Sequence, residues 1–391
     1  MYRSWHSITP LLALQDPRAV HSVQPTFLYA EFLLLALACC GIKDAFSRPD
    51  GLLTFVSCLV GGTAVELITI LHGEMGNFYH SQGSIMLFGR REPLYMLLGC
   101  YGWVAYATMI LAKRVRGGPA AQCAFAALLG SEAWALLDTV GAQFLWWTWH
   151  ASEPLYADRE GGVPVASSFW IMATMGSMAL VLRRLPGGAS PGWGLLAGPV
   201  ASLLLMQLPF LAIFHPLVTF GELHASYAMW ALRLGCAAPL LAAVLGAEGS
   251  PLGAWARALR SGQPETAVMR QMAAYALGML LVAASSDPTA ERRTSFSQPC
   301  ARDRDCATDE TSFWGAFTRK AHTCTRDNDP ARDLYRLCDA RCGHAAAPGL
   351  ETHTVCGVPP EEGWLLLIAA HAVAVLLLVA LPFRAPRPKA S

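Results

Sequence analysis

Nine stretches of the chain are apolar over roughly the 20 residues needed to cross ~30 Å of hydrocarbon. They cover residues 26–42, 52–72, 93–112, 122–149, 165–182, 192–213, 218–245, 267–285 and 363–383. Short polar connections separate most of them, and one long connection, 286–362, precedes the last. The pattern predicts an all-α fold, a polytopic transmembrane helix bundle of about nine spans. Its parts are an N-terminal segment 1–25, an eight-helix bundle over 26–285, a Cys-rich loop over 286–362, a ninth transmembrane helix at 363–383 and a basic tail at 384–391. The first 25 residues do not read as a signal peptide: "ITPLLALQ" is short, contains Pro10 and is followed by no small-residue cleavage site. The first helix is therefore expected to direct targeting.

Lys and Arg gather in every second connection, as they do on the cytoplasmic side of membranes. The residues are Lys43 and Arg48, then Lys113, Arg114 and Arg116, then Arg183 and Arg184, then Arg257 and Arg260, and finally Arg384, Arg387 and Lys389. This puts the N-terminus on the non-cytoplasmic side and the C-terminus in the cytoplasm. "HASEPLYADREGG", the 214–218 turn and the 286–362 loop share the N-terminal side. Arg90 and Arg91 of "GRREP" fall on that side against the rule, beside Glu92.

Composition agrees with a bilayer setting. Hydrophobic residues make up 54% of the chain and charged residues 15%, against about 25% charged in soluble domains. A net charge of +1 excludes nucleic acid as a partner held by bulk electrostatics. No Walker loop, dinucleotide-binding glycine turn or nucleophile elbow is present. The long loop holds Cys300, Cys306, Cys324, Cys338, Cys342 and Cys356. An even set in a polar insertion reads as a disulfide framework in an oxidising compartment. The expected location is an endomembrane or the plasma membrane, with the loop lumenal or extracellular; its protein partner is unknown. A zinc site on Cys338, Cys342, His344 and His353 is the alternative. "DPARDLYRLCDARC" predicts a short helix with Leu334, Leu337 and Cys338 on one face.

The chemistry sits where acids and imidazoles enter apolar runs. Charged groups in a bilayer cost on the order of 3 kcal/mol each and default to functional or pairing roles. "AVELITILHGEMGNFYHSQG" places Glu66 roughly 9 Å inside the non-cytoplasmic boundary, with His72, Glu74, Tyr79 and His80 at the exit. On the fourth helix, Glu132, Thr139, Gln143 and His150 share a narrow arc at 3.6 residues per turn, with Asp138 a third of a turn away. Asp138 and Arg233 both lie near mid-membrane and are expected to pair. Trp146, Trp147 and Trp149 suit an interfacial belt. The catalytic candidates are Glu66, His72, Glu74, His80, Asp138 and His150. The substrate-binding candidates are Tyr79, Glu132, Gln143, Trp147, Trp149, His224 and Arg233. A zinc site drawing on His72-x-Glu74 and Glu222-x-His224 is the alternative chemistry, but this spacing is not diagnostic; no metal and no other cofactor is expected.

The motif order over 66–182 resembles the carotenoid-biosynthesis integral membrane proteins of the bisanhydrobacterioruberin hydratase type. The features are Glu66 followed by "GNFYH", the Pro-led "EPLYMLLGCYGWVAY", then "LLDTVGAQFLWWTWH" and "GGVPVASSFW". The matched positions are Glu66, Tyr79, Asp138, Trp147, Trp149, Gly162 and Pro164. Asp138 is followed by Thr139 where the family pattern has proline, and "SSFW" replaces an Asn-containing motif. The resemblance implies hydration of an isoprenoid end group by proton donation without a redox cofactor. The leading expectation is thus a cofactor-independent, lyase-like enzyme acting on a membrane lipid or isoprenoid, with a cavity between helices two, four and seven. A proton- or solute-coupled transporter and a non-catalytic scaffold or receptor stand as alternatives.

Overall fold

The computed structural model describes residues 9–72, 76, 78–115, 118–150, 152–245, 264–295, 307–312, 317–321, 328–338, 343–344 and 351–380. Its long helices are α1 (Pro25–Phe46), α2 (Gly51–Leu71), α3 (Met96–Ala112), α4 (Gly118–Gln143), α5 (Val165–Arg184), α6 (Pro191–Thr219), α7 (Ala225–Leu245), α8 (Pro264–Ser285) and α9 (Trp364–Val379). Six of them, α1, α2, α4, α5, α6 and α8, are long and apolar enough to cross a membrane, whereas α3 and α9 are shorter apolar helices. Outward-facing leucines such as Leu204, Leu211, Leu234, Leu277, Leu281 and Leu377 are more than half exposed. An exterior of this kind is stable only against lipid. The chain is a mostly helical membrane protein.

Small residues set the helix spacing around α2. Ser57 and Gly61 on α2 meet Gly194, Gly198 and Ser202 on α6, all at four-residue intervals. A Cβ on Gly198 would lie 2.3 Å from the Ser57 carbonyl oxygen, so the backbones touch. The Ser202 hydroxyl then donates to the Gly61 carbonyl at 2.9 Å. Close contact of this kind is how helices associate in lipid, where burial of apolar area supplies little. α6 contains Pro199, Pro209 and Pro216 and is wound partly as π-helix, over Val200–Leu205 and Phe210–Thr219. Each proline lacks the N–H its turn would donate, and the wider winding accommodates the loss.

At one end the basic residues find acids and amides. Asp44 accepts from Arg48 at 2.6 Å and from the Tyr106 hydroxyl at 2.6 Å. Lys113 pairs with Asp50, and Arg183 donates to Gln122.

The opposite end is closed by strands. From the N-terminal half come β1 (Leu12–Leu14), β2 (Phe78–His80), β3 (Ile85–Leu87), β4 (Glu92–Pro93), β5 (Trp147–Trp149), β6 (Arg159–Glu160) and β7 (Val163–Pro164). One sheet runs β1-β3-β4, β2 pairs antiparallel with β5, and β6 pairs with β7. The long loop supplies β8 (Arg292–Ser295), β9 (Asp309–Ser312), β10 (Phe317–Lys320), β11 (Tyr335–Leu337), β12 (Gly343–His344) and β13 (Glu351–Gly357). β13 is central, pairing with β8, β11 and β12, while β9 pairs with β10. This cap is tied to the bundle by the Gln143 amide donating to Val358 O (2.8 Å), Thr26 N donating to Glu291 (3.2 Å) and a buried Arg319–Glu153 pair at 3.0 Å.

Several expectations are corrected here. The helical bundle holds, but the connections on this side are β-structured, because their polar backbone outside lipid can pair between segments. The fourth helix ends at Gln143, not at 149; Leu145 turns the chain with φ 60° and "WTW" becomes β5. Trp146, Trp147 and Trp149 are therefore core residues of the cap, 0%, 3% and 5% exposed, and form no interfacial belt. His150 lies beyond β5 and does not close a helix. The helix expected after Asp329-Pro330 is a single turn, Pro330–Asp333, ended by Leu334 at φ 61° and followed by β11. Cys338 is disulfide-bonded to Cys356, which removes it from the zinc alternative. Cys300, Cys306, Cys324 and Cys342 lie outside the described residues.

Candidate functional site

The connection from α2 to α3 brings three titratable groups together. Glu66 projects from the last turns of α2. His80 ends β2, fixed in register opposite Trp147 of β5. Glu92 opens β4, opposite Leu87, just before α3 begins. One potential ligand atom from each lies within 4.8 Å of the others, and the three residues are 2%, 4% and 0% exposed. His80 Nε2 and Glu92 Oε2 stand 3.4 Å apart.

Packing aims the groups. Gly62 lies one turn before Glu66, and a Cβ there would fall 2.0 Å from Tyr101 Cγ. Only glycine lets the Tyr101 ring lie on α2. From that position its hydroxyl donates to Glu66 Oε1 at 2.7 Å. Glu66 Oε2, both oxygens of Glu92 and both ring nitrogens of His80 are buried without a hydrogen-bond partner. Unsatisfied buried polar atoms are rare because each costs on the order of 1–3 kcal/mol; five in one cluster is a concentration of stored cost. The cavity they line also touches Thr69, Tyr79 and Arg91, and has room for about one water molecule or ion.

The electrostatics follow from burial. Glu92 is pushed well above the usual carboxylate range by burial first and by the nearby Glu66 second. Two carboxyl groups so close cannot both ionise cheaply, so the pair retains a proton. Burial, with Arg293 nearby, lowers the His80 imidazole to about 3, which leaves it neutral.

On the membrane side lies a second, apolar cavity, with room for no more than about one water molecule. Gly62, Tyr101, Trp170, Thr174, Met178 and Ser202 contribute to its wall. It lies between α2, α3, α5 and α6, not between the second, fourth and seventh helices as expected. Tyr101 and Gly62 belong to this wall, while the Tyr101 hydroxyl holds Glu66. Tyr101 thus links the two cavities: its ring lines the apolar one and its hydroxyl bonds an acid of the polar one.

The other expected site residues are distributed as follows. Tyr79 lines the polar cavity, donates to Gly76 O at 3.3 Å and packs its ring 6.2 Å from that of His150. His150 is buried beside Ser152, 3.3 Å from its hydroxyl, and outside the Glu66 cluster. His72 caps α2, and Glu74 lies outside the described residues. Trp147 packs edge-on to His80 at 6.0 Å, and Trp149 lies under Arg159 at 5.8 Å. Asp138 is buried on α4 but does not pair with Arg233. Arg233 instead approaches Glu160 at 3.5 Å and lies over Trp230 at 5.3 Å, because the α7 face bearing it turns toward β6. Glu132 is engaged by His371 of α9 at 2.8 Å, Gln143 holds the cap, and exposed His224 pairs with Asp158 at 2.9 Å.

Sequence reasoning missed Glu92 and Tyr101. In the sequence Glu92 registers only as the neighbour of Arg90 and Arg91. Its better signal is an acid directly before Pro93 at the head of an apolar helix. Tyr101 gave only a tyrosine among glycines in "GCYGW".

A family model described as a domain of unknown function (DUF7802) matches residues 9–187. Glu66, His80, Glu92 and Tyr101 all lie within the matched segment. No curated protein and no solved structure matches the chain.

Proposed function

We propose that the chain is a nine-span membrane protein, N-terminus outside and C-terminus in the cytoplasm, that acts as an acid–base enzyme on a membrane-dissolved lipid or isoprenoid. The observation carrying this reading is the bridging Tyr101. Its ring lines a small apolar cavity between the helices, and its hydroxyl holds the buried acid Glu66. The topology draws support from the clustering of Lys113, Arg48 and Arg183 at the end opposite the disulfide-bearing cap.

In this reading the Glu66–Glu92 pair gives its proton to one carbon of an alkene end group, after the Tyr101 ring swings aside. Water adds to the other carbon, and the proton that water loses returns to the pair. No electron is transferred. His80, held neutral, orients the attacking water. The reading also fits the hydration chemistry implied by the sequence resemblance. The transporter alternative loses its Asp138–Arg233 coupling pair, since Arg233 faces Glu160.

The test is comparative lipid and pigment profiling of cells with and without the protein, complemented by wild type or Glu66→Gln. A lipid species should change with the wild-type protein and revert with the variant. Unchanged profiles, or an active variant, would remove Glu66 as the donor.

A further inference from the structure

We infer that Glu66, His80 and Glu92 form a binding site for one divalent transition-metal ion. The inference concerns the residues proposed above as the acid centre, but it stands on their geometry and holds whether or not a lipid is the substrate.

Three observations carry it. The ligand atoms lie within 4.8 Å of one another. Three atoms bound tetrahedrally at about 2.1 Å to one ion are about 3.4 Å apart, so a closure of at most about 1.4 Å brings all three onto a common centre. All three side chains are more than nine-tenths buried, and five of their nitrogen and oxygen atoms have no hydrogen-bond partner. The cavity between them has room for about one ion. Water alone could not let both carboxyl groups ionise at this depth. A doubly charged cation would, and would satisfy the imidazole as well.

The donor set selects the ion. Two carboxylates and one imidazole, with no thiolate or thioether, favour Zn²⁺, Fe²⁺ or Mn²⁺ over Cu⁺, and the imidazole disfavours Ca²⁺ and Mg²⁺. Tyr101 already holds Glu66 Oε1, turning Oε2 toward the centre, as outer hydrogen bonds do for metal-bound carboxylates. Three protein ligands leave coordination positions open, the pattern of a catalytic rather than a structural site. Binding would displace the proton retained by the carboxyl pair, so the ion-bound form and the proton-donating form are alternative states of one site.

The full chain is purified in detergent, stripped with chelator and titrated with Co²⁺ as a spectroscopic probe. Saturable d–d absorption at one equivalent is expected in the wild type. It should weaken at least about tenfold in affinity in Glu92→Gln and persist unchanged in His224→Asn, far from the site. His80→Cys should add a thiolate-to-cobalt charge-transfer band, which a merely structural role for His80 could not produce. Metal analysis of protein purified without chelator should return about one Zn, Fe or Mn per chain. Absence of saturable Co²⁺ absorption in the wild type overturns the site. So do an unchanged affinity in Glu92→Gln and a His80→Cys protein that binds Co²⁺ without the new band. A metal-binding protein that leaves every lipid unchanged would sink the enzyme reading and leave the metal site standing.

Discussion

Glu31 and Glu66 enter the same end of the bundle from adjacent helices, 1% and 2% exposed, yet the fold treats them in opposite ways. Glu31 receives the N–H of Ser84 on both oxygens at 3.0 Å and that of Ile85 at 3.4 Å. It anchors the chain entering β3. Glu66 receives one phenol and keeps an oxygen bare, facing a second acid and an imidazole. A carboxylate wrapped in backbone donors is architecture. One left unsatisfied beside Glu92 is a cost the fold offsets elsewhere, as expected of a functional centre.

The sharpest way to break this comparison is to remove each acid. Glu31→Ala strands the Ser84 and Ile85 amides in the interior and should cost about 3–5 kcal/mol, read as a large drop in melting temperature in detergent. Glu66→Gln keeps an acceptor for Tyr101 and relieves a buried charge, so its stability should stay within about 1 kcal/mol of wild type. A Glu66 variant that unfolds while the Glu31 variant survives would reverse the assignment.

Glu291 is the intermediate case. One oxygen accepts from Thr26 N at the start of α1, and the other is buried without a partner. Burial raises this carboxyl to about 7, against about 4.3 in an unfolded chain. Between those values the folded protein binds more protons, so stability is highest below about pH 4, falls as pH rises to 7 and levels off above. The decline should total at most about 4 kcal/mol and vanish in Glu291→Gln; thermal unfolding across pH checks it. A rise of stability over this window would contradict the burial argument.

The smallest expected effect tests what aims Glu66. Gly62→Ala puts a methyl into the Tyr101 ring and should cost about 2 kcal/mol, while displacing the hydroxyl from Glu66. Tyr101→Phe should reproduce the loss of lipid conversion at lower stability cost. If Gly62→Ala melts and converts like wild type, the ring does not depend on that gap.

Most of the membrane architecture was legible in the sequence. The apolar runs at 26–42, 52–72 and 165–182 correspond to α1, α2 and α5, and the basic connections reappear as the Lys113–Asp50 and Arg183–Gln122 contacts. Glu66 and His80 were legible as candidates because a charge or imidazole in an apolar stretch stands out locally. The helix-period reading failed at "WTWH", where Leu145 ends the helical geometry and β2 supplies a strand partner that periodicity alone cannot reveal. It failed again for Asp138 and Arg233, whose equal depth says nothing about which faces turn toward each other.

What the sequence determined by itself was which segments are apolar enough for lipid and that the basic residues collect in alternate connections. Transfer of a segment from water to hydrocarbon sums over its own residues, so it can be read without neighbours. What only the tertiary structure decided was the company each acid keeps: Glu31 with two amides, Glu132 with His371, and Glu66 with His80, Glu92 and Tyr101. Those partners come from separate elements. Their meeting depends on backbone contact at Gly198, ring contact at Gly62 and strand register at His80, which are properties of packed surfaces and not of any one segment.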